Sequence, residues 1–318
     1  MKIPQKARTG IIVGLMIGSS ILSYRVFSTF QKQASFKPPA PLVDTCIAKP
    51  SIKQAARKDS TKPMLVFKEA TLKEARKFLL HTGRGAVSVD SLLSDSQLEK
   101  YVLFKKPKPD TSKVKKPFTY ERYKELYHYD KLLEKGIKFQ EKYSLDLAAA
   151  QDSTGTPEEL VTAVHGIETI YAGYTGELAC VNVFLSLMED SRAWKAFAKR
   201  ELSCFLQICD KYHIDPFSVK GSERGAFTPG QFLPSSFLKY DVLPEGTSFE
   251  YAFSVQYSIS LVSRYLRDAG ASMHSGFSRE GTNYKAAFAY NHSGYYARFV
   301  VELASDLKKH RQAKLVKK

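Results

Sequence analysis

Glu168, in the string His165-Gly166-Ile167-Glu168-Thr169-Ile170-Tyr171, is the side chain whose type and setting best suit chemistry. Desolvation disfavours the charged form of a carboxyl on a largely buried helix, so the group can hold a proton near neutral pH and deliver it to a poor leaving group. The helix itself is legible in local signals. Thr156 suits the N-cap, Pro157 the first helical position and Glu159 the reciprocal capping-box position, and Leu160, Val161, Val164, Ile167 and Tyr171 follow at helical spacing. These signals predict a helix over 157–173 with Glu168 inside its apolar stretch. A lone Glu beside an apolar stripe is as a rule a solvent-edge residue or a partner for a nearby Lys, so the case for chemistry rests on what accompanies it.

Two downstream segments accompany it. The first, Lys220-Gly221-Ser222-Glu223-Arg224-Gly225-Ala226-Phe227-Thr228-Pro229-Gly230-Gln231-Phe232-Leu233-Pro234-Ser235-Ser236-Phe237, is punctuated by Gly and Pro and reads as an ordered loop that could approach a ligand closely. The second is Ala287-Phe288-Ala289-Tyr290-Asn291-His292-Ser293-Gly294-Tyr295-Tyr296, whose Asn and Ser equally suit a helix N-cap. His165 reads as a packed core histidine before a partner of Glu168.

Taken in this order, the segments resemble the membrane-bound B type of lytic murein transglycosylase, within the goose-lysozyme-like superfamily. Gly166-Ile167-Glu168-Thr169 resembles that family's Gly-hydrophobic-Glu-Thr segment, Gln231-Phe232-Leu233-Pro234-Ser235-Ser236 its Gln-Phe-Met-Pro-Ser-Ser loop, and Tyr290-Asn291-His292-Ser293 its Tyr-Asn-Asn-Ser turn. Asp215-Pro216 and Lys220-Gly221-Ser222 are similar to its Asp-Pro and Lys-Gly-Ser. The resemblance covers residues 118 to 305 and extends weakly upstream to 65.

It implies a mainly α, lysozyme-like catalytic domain with an N-terminal helical extension, and roles for the matching positions. Glu168 would be the single acid/base. Ser222 and Gln231 would contact sugar acetamido groups or the peptide stem, beside Phe232, and Tyr290 with Asn291 would line the cleft floor. Tyr123, in Tyr123-Lys124-Glu125-Leu126-Tyr127, would give an aromatic wall, Tyr265 and Tyr296 further cleft tyrosines, and Arg192 a basic cleft residue. Departures stand beside the matches. Ala172 occupies a position where the family commonly has Gly, and the stretch Tyr240 to Thr247 has too few spaced carboxylates to cage calcium, so neither metal nor cofactor is expected.

The reaction the resemblance implies is scission of the MurNAc-β-1,4-GlcNAc bond of peptidoglycan, closed by formation of a 1,6-anhydroMurNAc end. A hydrolytic muramidase would need a second carboxylate, for which Glu177, Glu223 and Glu245 are candidates. A non-catalytic glycan-binding protein, left open by Ala172, is the third reading.

The elements that must position these residues are helical. Periodicity predicts helices over about 120–150, 157–173, 179–212, 248–270 and 294–312, with short amphipathic helices in 64–100 packing onto the body. The 318 residues divide into an export segment at 1–30, an extended tether at 31–63, the main domain at 64–312 and a basic tail at 313–318. Lys2, Lys6 and Arg8 precede an apolar run from Gly10 to Tyr24, the pattern of a signal peptide or a retained signal anchor. Export, through either form of that segment, places the chain in the periplasm or cell envelope. The net charge of +16 lies largely in Lys-rich stretches at 101–118 and 308–318. Export argues against nucleic acid as their partner and for anionic lipid headgroups, peptide-stem carboxylates or plain solvation. Cys180, Cys204 and Cys209 fall in predicted helices and read as free thiols, although an oxidising compartment would allow a bridge among the chain's four cysteines.

Overall fold

The computed structural model describes residues 65–103, 118–190, 192–244 and 246–316. The export segment, the tether with Cys46, the lysine-proline stretch 104–117 and Glu245 lie outside the described residues. Twelve helices run in the order α1 (Glu69–His81), α2 (Ala86–Leu93), α3 (Tyr120–Leu126), α4 (Tyr129–Lys142), α5 (Ser144–Thr154), α6 (Glu158–Thr169), α7 (Cys180–Asp190), α8 (Lys195–Tyr212), α9 (Pro234–Tyr240), α10 (Val255–Asp268), α11 (Thr282–Tyr290) and α12 (Gly294–Val316). A 3-10 turn, Phe249–Phe253, precedes α10. The only strands among the described residues are two-residue pieces, Leu178–Ala179 (β1) and Lys220–Gly221 (β2), paired antiparallel with Leu178 opposite Gly221.

The organising element is α6, which packs against α4, α5, α10 and α12. Every residue of α6 is buried except Glu168. A helix enclosed all round must be apolar or internally satisfied. Leu160, Val161, Ala163 and Val164 supply the apolar part. Thr162 returns its hydroxyl to Glu158 O at 2.8 Å, and Arg311 of α12 binds both Glu158 and Glu159. His165 is fully buried, with Nδ1 2.8 Å from Val161 O and Nε2 2.9 Å from Ser258 Oγ on α10. Its ring stacks on Phe139, and burial holds its pKa down at about 4. It is a packed core histidine that ties α6 to α10.

The start of α6 differs from the sequence reading. Thr156 does not cap it, because its hydroxyl donates instead to Ser263 O of α10 at 2.9 Å. The cap comes from Gln151 of α5, whose Oε1 accepts from Glu158 N at 3.1 Å. Glu159 is drawn to Arg311 rather than back to the N-cap, since the nearby cation offsets burial of its carboxylate.

Around this centre, α7 and α8 pack against each other, and α1 docks on both. Glu189 fastens that docking by accepting from Lys68 N at 2.9 Å, Thr71 Oγ1 at 2.8 Å and Lys100 Nζ at 2.5 Å. The N-terminal helical extension is thus built onto the body through a helix N-terminus capped by a distant carboxylate. Buried Glu201 of α8 does the same for α9, accepting from Ser235 N and Ser235 Oγ, each at 2.9 Å. The segment after α9 is held by Asp241, which accepts from Tyr257 at 2.5 Å, Lys211 at 2.7 Å and Tyr212. Lys211 supplies the balancing cation there. Cys180, Cys204 and Cys209 are free thiols, the first and last buried.

Candidate functional site

The last turn of α6 determines where Glu168 points. Its closing bonds, Ile170 N to Gly166 O and Tyr171 N to His165 O, both 3.0 Å, reverse the chain in a left-handed turn. Ile170, Tyr171 and Ala172 have φ of 54°, 62° and 65°. Each is a conformation costing a non-glycine residue roughly 1–2 kcal/mol. Ala172 therefore stands at a position whose backbone favours glycine. Thr169 steadies the turn, its hydroxyl accepting from Ala172 N at 2.9 Å and donating to Pro229 O at 2.8 Å.

That second bond reaches the Gly/Pro loop. Phe227 and Phe232 pair across it, leaving Thr228-Pro229-Gly230-Gln231 as a tight turn with Thr228 at φ 67° and Gln231 at φ 54°. Gln231 Nε2 donates to Thr175 O at 3.0 Å and, less closely, to Thr228 O. Tyr290, at the end of α11, donates to Gly230 O at 2.6 Å. The two strained turns are thus fastened to each other beside Glu168.

Tyr296, in the first turn of α12, donates its hydroxyl to Glu168 Oε1 at 2.7 Å. Ser293 starts that helix, its Oγ accepting from Tyr296 N at 3.4 Å, which bears out Asn-His-Ser as a helix-start signal. Glu168 is enclosed by protein yet partly open to solvent. Burial raises its pKa to about 7 against the opposing hydrogen bond from Tyr296. Its place at the negative end of α6 works in the same direction as burial. Among the described residues no other carboxylate contributes to that shift. Burial first, and then the charge of Glu168, hold the phenols of Tyr290 and Tyr296 in their neutral forms, and burial followed by the neighbouring Tyr127 does so for Tyr123. A carboxyl that keeps its proton near neutrality, with neutral phenols about it, can act as a general acid and, once ionised, as a base.

The other expected residues fall into two groups. Tyr123 is buried, its ring centroid 4.7 Å from Tyr127, 5.7 Å from Tyr295 and 6.2 Å from Phe118, so one wall near Glu168 is aromatic. Tyr265 donates to Ala289 O at 2.8 Å and meets Tyr290 edge-on at 4.7 Å. Phe232 is only 3% exposed and packs edge-on to both Tyr265 and Tyr290, so it supports those rings from within the core. Ser222 is half-buried with Oγ 3.2 Å from Ala226 N, and Asn291 is half-buried at the end of α11. Arg192 stands apart, exposed in the turn between α7 and α8, where no hydrogen bond or ion pair joins it to the Glu168 group. Glu177 and Glu223 are exposed. Among the described residues, no group of three His, Cys, Asp or Glu side chains could hold a metal ion.

Tyr171 and Thr169 escaped sequence reasoning as site residues. Tyr171 read as one more apolar position of the helix, whereas the chain has already turned back at Ile170. The one available signal was glycine inside predicted helices, at Gly136 and Gly166.

Comparison with known proteins bears on the fold and the family. Membrane-bound lytic murein transglycosylase B of Escherichia coli (strain K12) is 26% identical over 149 residues, which are 47% of this chain and 41% of that protein. The match therefore spans less than half of that relative's length. Soluble lytic transglycosylase SltB1 from Pseudomonas aeruginosa superposes with a TM-score of 0.63 at 20% identity, covering 75% of this chain and 99% of that one. SltB3 from the same organism, solved in complex with NAG-anhNAM-pentapeptide, gives a TM-score of 0.62 at 18% identity over 76% of this chain and 79% of its own. These superpositions establish a shared lysozyme-like fold. The transglycosylase SLT domain family matches residues 68–270, a stretch holding α1 through α10 and Glu168 with its two strained turns, and the chain belongs to that family.

Proposed function

We propose that the protein is a peptidoglycan lytic transglycosylase that cleaves the MurNAc-β-1,4-GlcNAc bond, with Glu168 as its one acid/base. The observation that carries this reading is that Glu168, alone in α6, stays partly open to solvent while burial still raises its pKa to about 7, with no carboxylate partner among the described residues. Protonated Glu168 gives its proton to the bridging oxygen as the C1–O bond breaks. The MurNAc acetamido oxygen then bonds to C1 and takes up the positive charge. Glu168, now a carboxylate, removes the proton of the C6 hydroxyl, and O6 displaces the acetamido oxygen from C1. The cycle consumes no water and returns Glu168 to its protonated form.

Tyr296 keeps the carboxyl aimed through both steps. Gln231 commits Nε2 to the main chain, leaving Oε1 as the atom able to accept from substrate, whereas the Ser222 hydroxyl, whose oxygen accepts from Ala226 N, retains its proton to donate to substrate. Tyr123, Tyr265, Tyr290 and Asn291 would shape the surface against which sugar rings lie. Arg192 would reach only groups projecting from the glycan, such as stem-peptide carboxylates. SltB3, solved both with NAG-anhNAM-pentapeptide and with NAG-NAM-pentapeptide, supports peptidoglycan fragments as the class of ligand. Glu168→Gln is expected to bind sacculi like the wild type and to lose turnover by about a thousandfold or more, since the proton donor is gone. Release of soluble fragments within about tenfold of wild type would remove Glu168 from the role.

The basic and apolar opening of the chain supports export, with the catalytic domain beyond the cytoplasmic membrane. Among the described residues no helix is long and apolar enough to cross a membrane. A reporter fused after residue 60 is expected to report from the periplasm; activity of a cytoplasmic reporter at that position would contradict export.

A further inference from the structure

The structure assigns Tyr171 as a positioning residue: seated in a slot between two helix glycines, it latches the left-handed turn that ends α6 and so holds Glu168 against Tyr296. The inference rests on the proposed role of Glu168. The reversal at Ile170 throws the next side chain back over the helix that has just ended. The Tyr171 ring lands on α6 at Gly166, where an added Cβ would lie 2.7 Å from the phenol oxygen and 2.8 Å from Cζ. On the other side it meets α4 at Gly136, where an added Cβ would collide with the phenol oxygen and come within 3.2 Å of Cζ and 3.0 Å of Leu307. At the end of the slot the hydroxyl donates to Leu132 O at 2.9 Å, and the ring sits 5.1 Å from that of Phe139.

Glycine is a poor choice for a helix interior. Two of them, on different helices and facing one phenol, mark a space that this ring requires. Three successive left-handed residues need an anchor, and within the turn Ile170 offers none, since its side chain is 51% exposed. Tyr171 is the only one of the three whose side chain reaches another helix by a hydrogen bond. Filling the slot therefore displaces the ring, loosens the turn and lets the last turn of α6 drift from α12. Burial of the ring would stabilise any helix pair; a role in positioning predicts in addition that the loss is felt at Glu168.

The test compares Gly136→Ala, Tyr171→Phe and the double variant in the full chain, with melting temperature, kcat and KM on sacculi for each. Gly136→Ala is expected to lower kcat at least about tenfold with KM within about twofold, as a misplaced acid would. Tyr171→Phe keeps the ring but removes the atom with which the new Cβ collides, so the double variant should recover to within about twofold of Tyr171→Phe alone. A second readout needs no turnover: the gain in melting temperature from Glu168→Gln at pH 8 should shrink when Gly136→Ala is present. If Gly136→Ala fails to fold, Tyr171→Leu, which leaves the slot partly empty, should show the same fall in kcat. Wild-type kcat in Gly136→Ala or in Tyr171→Leu, or a double variant no better than Gly136→Ala, would overturn the latch. An inactive wild type would sink the proposed function, and the melting-temperature comparison would still decide the latch.

Discussion

Glu168 lies between opposing influences, and their balance makes a testable pH signature. Burial and the negative end of α6 favour the protonated form, while the Tyr296 hydroxyl favours the carboxylate, and the outcome is a pKa of about 7. The acid must carry its proton to begin a turnover, so kcat/KM should fall above about pH 7, by about a decade per unit once the group is ionised. The same shift affects stability. The folded pKa is raised above the unfolded value, so the native state binds the extra proton between about 4.5 and 7 and stability declines as pH rises through that window. Glu168→Gln should match wild type near pH 4 and exceed it above pH 7 by up to roughly 3 kcal/mol. Equal stability of the two at pH 8 in denaturant titrations would show that Glu168 is not desolvated. Of the residues involved, Glu168 was legible from its helix and from the segments that follow it. Tyr296 was visible only through resemblance, because nothing in Gly294-Tyr295-Tyr296 says which phenol turns inward.

The helices α6 and α12 show what an element owes to its neighbours. The sequence reading carries α6 through to 173, whereas it stops at Thr169 and enters three left-handed residues. Thr169 and Tyr171 offset the strain through bonds to a distant loop and a distant helix, contacts that local propensity does not encode. The predicted helix 120–150 breaks at His128, with φ 49°, and again at Tyr143. Helices α9 and α11 went unread because nine residues or fewer give too little period to detect. The strain itself can be measured. Ala172 has φ 65°, so Ala172→Gly should stabilise the protein by about 0.5–1 kcal/mol, less whatever the unfolded chain gains in freedom. A net loss of stability in Ala172→Gly would mean that the left-handed turn is not a source of strain.

At the scale of the whole molecule, the mainly helical class, the order of the three site segments and the docked N-terminal extension were all legible. Helical periodicity and collinear motifs carry those features, and they depend little on packing detail. What stayed hidden is how α12 closes the molecule. It seats Tyr296 on Glu168 at one end and binds Glu158 and Glu159 through Arg311 further along. One helix thus grips both ends of α6, across 128 residues of sequence in the first case and 152 in the second. The proposal that unites these scales is that a single carboxyl, held in this way with no second base beside it among the described residues, leaves the substrate's own C6 hydroxyl as the nucleophile of the second step. Digesting purified sacculi and weighing the fragments by mass spectrometry, before and after borohydride treatment, tests that claim most directly. The account predicts fragments one water lighter than reducing muropeptides and resistant to borohydride, whereas fragments that are nearly all reducible would show that water is the nucleophile and that a second base, to be sought first at Glu177 and Glu223, has been overlooked.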